Sequence, residues 1–217
     1  HGRLLVGLAP TKRPVAGYIA RVLPLGRGLV NRRALRWRKN RGIRMIEQLI
    51  TPQGRRIAYE HSAVADQAPN VVFLGGFRSD MSGTKAVFLQ DWAAAQGYGF
   101  LRLDYSGHGI SGGDFLDGAI GDWFEDALAV IEAVTRGPQI LVGSSMGGWI
   151  SLLLARAIPE RIAGLVGIAA APDFTDWGFN DAEKAIILAE GALIEETPYG
   201  DQPYMTTRAF WQSGEAN

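Results

Sequence analysis

From Met45 onward, apolar runs and turn signals alternate at the spacing of an α/β domain. "MIEQLIT" and "RRIAYEH" read as two strands joined at Pro52 to Gly54, a hairpin. "NVVFLGG" over 70–76 is an almost unbroken apolar run, as a strand buried on both faces requires. In "GTKAVFLQDWAAAQG", Val87, Phe88, Trp92 and Ala95 fall at helical spacing and predict a helix with that face buried, ended by Gly97. "FLRLDYSG" reads as a strand, and "GDWFEDALAVIEAV" as an amphipathic helix whose stripe is Trp123, Phe124, Ala127, Val130, Ile131 and Val134. "QILVGS" is a strand, "MGGWISLLLARAI" a helix stopped by Pro159, and "IAGLVGIAA" over 162–170 a further strand. Repetition of strand, helix and strand predicts a mostly parallel sheet with helices on both faces, reached through an antiparallel hairpin. After it the pattern changes: 182–192 is helical, and aromatic and acidic residues follow.

Composition fits one globular domain with a sizeable core: 217 residues, 47% hydrophobic and 20% charged. Without cysteine there is neither a disulfide framework nor a thiolate metal site, and no run approaches the roughly 18 apolar residues that span a bilayer. No metal and no cofactor are expected. A net charge of zero hides a division, because residues 1–44 hold 12 of the 22 Lys and Arg and none of the acids. That arm is open to three readings: an extension outside the fold with Met45 as the start, a mitochondrial transit peptide, or a basic arm for polyanions. The absence of Ser from it counts against a transit peptide, and the first reading is preferred. The expected organisation is therefore a basic extension over 1–44, a core over 45–170 and part of a cap or lid over 171–217. The expected compartment is the cytoplasm, with the mitochondrial matrix as the alternative if the arm is a transit peptide. Neither a nucleic-acid partner nor a membrane span is expected.

Candidate chemistry centres on "ILVGSSMGGW". Gly-x-Ser-x-Gly is a weak signal alone, but here Ser145 stands where a buried strand turns sharply into a helix, the arrangement of a nucleophile elbow. Gly143 and Gly147 are required because side chains there would collide across the turn, and Ser144 is out of register. An oxyanion formed on attack by Ser145 needs donors. The helix starting after the serine offers the N–H of Met146, and the loop "FLGGFRSDMSGTKA", where Gly75 and Gly76 allow close approach, offers that of Phe77.

"ILVGSSMGGW", "LGGFRSDMSGTKA" and "LRLDYSGHGISGGDFLDGAIGDWFEDAL" together resemble the α/β-hydrolase superfamily, and within it the branch of the mitochondrial palmitoyl-protein thioesterases that also hydrolyse acyl glucuronides, with their bacterial relatives. The resemblance runs from about Met45 to the end of the chain. It implies hydrolysis of a small-molecule acyl ester or S-acyl thioester through an acyl-enzyme on Ser145, with Phe77 and Met146 as oxyanion donors and no cofactor. It also implies a helical cap after the strand over 162–170, and a triad in the chain order Ser, Asp or Glu, His.

The chain departs from that order. Its three histidines are His1, His61 and His108, and none follows Ser145. His108 lies on a Gly-rich loop at the carboxyl edge of the sheet, but the resemblance implies a structural loop there; His1 and His61 are expected at the surface. Asp173, just after the last strand, is a candidate acid, although a residue opening the cap is the stronger expectation, and Asp104 is expected to order the loop after its strand. The expected triad Asp and His then lie beyond Asn217, which predicts an incomplete sheet with an exposed edge, poor solubility and little turnover. The other reading is a non-catalytic binding protein on the same fold.

Overall fold

The computed structural model describes residues 45–63, 69–196 and 203–217, so the basic segment 1–44 lies outside the described residues. In chain order, β1 (Glu47–Ile50), β2 (Arg56–Ser62), β3 (Asn70–Leu74), α1 (Thr84–Gln96), β4 (Phe100–Asp104), α2 (Ile120–Val134), β5 (Gln139–Ser144), α3 (Met146–Ala157) and β6 (Ile162–Ile168) form the core. Their six strands make one sheet in the order β1-β2-β4-β3-β5-β6. The β1–β2 hairpin and the β2–β4 pair are antiparallel, while β4, β3, β5 and β6 run parallel. The strand read as an almost unbroken apolar run, β3, is central, and every residue of β3 and of β4 is buried.

Alternation along the central strands divides the core into two layers. Val72, Leu74, Leu101 and Leu103 face α2 and α3, where Trp123, Ile131, Trp149 and Leu153 cover them. Val71, Phe73 and Phe100 face the opposite way, onto Ala86 and Ala93 of α1. The stripe of α2 is buried as its spacing predicts, with Phe124 and Val134 half-buried at its margins and Ile120 and Asp126 added to the buried face.

The face of α1 differs from the expectation. Its buried residues are Ala86, Gln90 and Ala93, while Phe88 is 67% and Trp92 43% exposed. Small side chains let the helix lie close to the sheet, and Gln90 is held there by a hydrogen bond from its Nε2 to Glu60 Oε1. Trp92 instead stacks on Tyr98, ring centres 5.7 Å apart.

Beyond β6, α4 (Phe174–Trp177), α5 (Asp181–Glu190), β7 (Ala192–Glu195), β8 (Tyr204–Thr207) and α6 (Arg208–Glu215) follow. The helix expected over 182–192 is α5, started by a reciprocal pair of hydrogen bonds between Asn180 and Glu183. The antiparallel pair β7–β8 and the helix α6 carry no prediction from the sequence. α6 folds back onto α2 through Phe210, which is buried against Trp123. The outer edge of β6 has no further strand beside it among the described residues.

Candidate active site

Ser145 sits between the last residue of β5 and the first of α3, at φ 53° and ψ −121°. A non-glycine residue takes such a backbone only where its surroundings impose it. Its N–H donates to the Ile168 carbonyl at 3.0 Å, and its carbonyl accepts from Gly148 at 2.8 Å and Ala171 at 3.1 Å. The residues on either side are buried and Ser145 alone is exposed at this turn. The glycines around it have no room for a side chain. A β-carbon on Gly143 would strike the Gly147 carbonyl, and one on Gly147 the carbonyls of Leu74 and Gly75.

The loop after β3 comes against this turn. A β-carbon on Gly76 would lie 3.3 Å from both the Ser144 carbonyl and Ser145 Cβ, and 3.5 Å from Ser79 Oγ. The N–H groups of Phe77 and Met146, the two expected donors, have no backbone acceptor in the loops and turns among the described residues. Met146 is the first residue of α3, so its N–H lies outside the helical ladder.

Asp104 fixes the loop from behind. Its carboxylate accepts from the Met81 N–H at 2.6 Å and from the Ile110 N–H at 3.0 Å, joining the loop after β3 to the Gly-rich loop after β4. Burial raises its pKa, against those two hydrogen bonds. The ordering role expected for Asp104 extends to a second loop, which the sequence alone does not indicate. Asp126 does related work on α2. It is fully buried, accepts from the Ser106 N–H and hydroxyl, and pairs with Arg55 at 2.6 Å.

His108 is buried under the rings of Tyr105, Phe115 and Trp123. Its Nδ1 lies 3.1 Å from the Ser106 carbonyl, which can only accept, so Nδ1 carries the proton. Burial lowers its pKa, and its Nε2 has no partner among the described residues. His61 is half-buried on β2 rather than on the surface, with its Nε2 enclosed and its pKa likewise lowered by burial. Asp173 opens α4 at φ 53°, exposed and without a side-chain capping bond.

The Phe77 side chain enters an aromatic cluster, with ring centres 4.9 Å from Phe115, 5.3 Å from Phe210, 6.0 Å from Trp123 and 6.1 Å from Phe174. Phe210 brings the tail onto the loop. Its only sequence signal is an aromatic pair, Phe210 and Trp211, at helical spacing from Thr207, whose hydroxyl oxygen accepts from the Phe210 N–H.

The sequence model of the Hydrolase_4 family, serine aminopeptidase S33, matches residues 65–197. The chain belongs to this family. The mitochondrial palmitoyl-protein thioesterase ABHD10 of Rattus norvegicus is 40% identical over 122 residues, 56% of this chain and 40% of that protein. A crystal structure of a protein from Agrobacterium vitis S4 is 41% identical with a TM-score of 0.73, covering 80% of this chain and 72% of that one. The α/β hydrolase domain-containing protein 10 from mouse is 31% identical with a TM-score of 0.71, covering 79% and 70%. The fold is that of the α/β hydrolases, and the matched region spans less than half the length of the rat relative. No helix among the described residues is long and apolar enough to cross a membrane.

Proposed function

We propose that the chain is a serine hydrolase of carboxylic esters or acyl thioesters, with Ser145 as nucleophile. The observation that carries this reading is Ser145 itself, exposed in a left-handed backbone at the end of a buried strand, with the Gly76–Phe77 loop packed against its β-carbon. In the reaction, Ser145 Oγ bonds to the acyl carbon as a base takes its proton. The carbonyl oxygen becomes an oxyanion held by the N–H groups of Phe77 and Met146. Collapse expels the alcohol or thiol with a proton, and water attacks the acyl-serine to release the acid. Removing one such donor costs roughly 2.7–4 kcal/mol of barrier in related chemistry.

The base is the missing part of this scheme within the 217 residues. Among the described residues, His108 is the one histidine near the carboxyl edge of the sheet, and its Nδ1 proton is held by a carbonyl while its ring is packed under aromatics. A histidine supplied from outside residues 1–217 fits the superfamily order, with Asp173 opening the cap rather than serving as the acid. Residues 1–217 alone are then expected to retain only the roughly 10³–10⁴-fold acceleration left when a triad member is lost. Likeness to the rat palmitoyl-protein thioesterase supports thioester hydrolysis, and that relative being mitochondrial supports a mitochondrial location over a cytoplasmic one.

A second reading is a binding protein that retains the fold without turnover, and the Nδ1 of His108 facing the Ser106 carbonyl under aromatic rings fits it. A fluorophosphonate probe and p-nitrophenyl esters separate the two. Covalent labelling at Ser145 and ester cleavage at enzyme rates when the missing histidine segment is supplied support the hydrolase; an unreactive Ser145 in that setting supports the binding protein.

A further inference from the structure

The loop after β3 makes a tight turn from Gly76 to Ser79, closed by the Ser79 N–H donating to the Gly76 carbonyl at 3.1 Å. Arg78, the third residue of this turn, has φ 55°, where a residue with a side chain is costly and turns ordinarily place glycine. Two rings hold Arg78 there, with Cζ 4.9 Å from the centre of Phe115 and 4.8 Å from that of Tyr204. The turn sends the Ser79 side chain back over the two glycines that precede Phe77. Ser79 Cβ lies 3.9 Å from the point a β-carbon on Gly75 would occupy, and Ser79 Oγ 3.5 Å from the corresponding point on Gly76. Ser145 Cβ lies 3.3 Å from that same Gly76 point. Two hydroxyl-bearing side chains therefore converge over Gly76, one residue before the proposed Phe77 donor.

The Ser79 hydroxyl is not needed to close the turn, because the backbone N–H of the same residue does so. Neighbouring hydroxyls are all engaged: Ser82 donates to Asp80, Ser106 to Asp126 and Ser111 to the Asp104 carbonyl. That of Ser79 has no partner among the described residues. The segment carrying it is fixed at both ends, since the Tyr105 hydroxyl donates to the Gly75 carbonyl at 3.3 Å and Arg102 Nη1 to the Met81 carbonyl at 2.6 Å. A donor fixed before charge develops pays no reorganisation when an oxyanion forms. Ser79 thus offers a side-chain donor on the same loop as the N–H of Phe77, and on the side of that loop which meets Ser145.

We propose that Ser79 is a catalytic residue whose hydroxyl donates a third hydrogen bond to the oxyanion formed when Ser145 attacks the acyl carbon. Ser79 keeps its proton throughout, and the proton of Ser145 still goes to the base. The inference rests on the hydrolase reading, and fluorophosphonate labelling of Ser145 tests that reading separately. With the missing histidine segment supplied, hydrolysis of 4-nitrophenyl acetate and of its thionoester, in which sulfur replaces the carbonyl oxygen, is followed for the parent, Ser79→Ala and Ser79→Thr. Sulfur is a weak acceptor, so losing a donor to that atom slows the ester more than the thionoester. Ser79→Ala is expected to lower kcat on the ester by about tenfold or more, on the way to the roughly 10²–10³-fold of a full oxyanion donor. KM stays within about twofold, the urea midpoint is unchanged, the ratio of ester to thionoester rates falls, and Ser79→Thr recovers most of the lost kcat. An unchanged kcat, an unchanged ratio, a lowered urea midpoint accompanying the loss, or no recovery in Ser79→Thr overturns the proposal. A parent whose Ser145 resists labelling in that setting overturns the hydrolase reading, and the role of Ser79 falls with it.

Discussion

The carboxylate of Asp104, at the end of β4, accepts the Met81 N–H at 2.6 Å and so ties the loop carrying Phe77 and Arg78 to the neighbouring strand. Asp104→Asn keeps the size but offers an NH₂ group where an acceptor is needed. The variant is expected to lose about 1–3 kcal/mol, the cost of leaving a buried group unsatisfied. Urea denaturation measures the loss, and equal midpoints for variant and parent would show that the tie is dispensable.

With the missing histidine segment supplied, Ser145→Ala should abolish labelling by a fluorophosphonate, and it should leave the urea midpoint unchanged because the side chain is exposed. Ser144→Ala should retain labelling. Gly147→Ala is a different case, since its β-carbon would meet the Leu74 carbonyl. Overpacking of that kind costs about 1–3 kcal/mol or more, and here it also moves β3, which leads into the loop carrying Phe77.

Phe210→Ala should destabilise the fold by about 3–5 kcal/mol, as large-to-small changes in a core do. The lost ring leaves Phe77, Trp123 and Phe174 without a neighbour at 5.3, 5.7 and 5.7 Å. Amide hydrogen exchange should then rise in the loop after β3 as well as in α6. Exchange confined to α6 would mean that the tail does not support the loop.

Acid should destabilise the protein through its buried imidazoles. His108 and His61 both have folded-state pKa values below the ordinary 6.5, with burial the largest cause. Below 6.5 the unfolded chain takes up protons that the folded chain refuses, so this contribution is complete above 6.5 and is lost as pH falls toward the lower folded value. Stability measured in urea should drop between pH 7 and 5, and His108→Gln or His61→Gln should each flatten that dependence. An unchanged slope in both variants would assign the acid sensitivity to other groups.

Much of this arrangement was readable from residues alone, for reasons that differ by element. β3 announces itself because a central parallel strand is apolar on both faces, whereas β4 buries Arg102 and Asp104 among its apolar residues. The position of Ser145 is equally plain, since only glycine spacing permits so tight a turn. The buried face of α1 was not readable: Phe88 and Trp92 outweigh Ala86 and Ala93 in any hydrophobic pattern, yet the sheet selects the small side chains that let the helix approach. Arg55, 71 residues from Asp126 in sequence, gives no local sign that it pairs there. Phe210 and Arg78 are similarly silent, because what they do depends on a tail folding back across the chain.

The hydrogen bond from Ala171 N–H to the Ser145 carbonyl has a practical meaning for protein engineering. It makes Ala171 a natural graft point. Segments exchanged after it would start from a fixed point beside Ser145, so they could be swapped without moving the backbone of that residue. A junction placed even two residues earlier would cut into the peptide that accepts the Ser145 N–H or its immediate support at Ile168, and would disturb the serine itself.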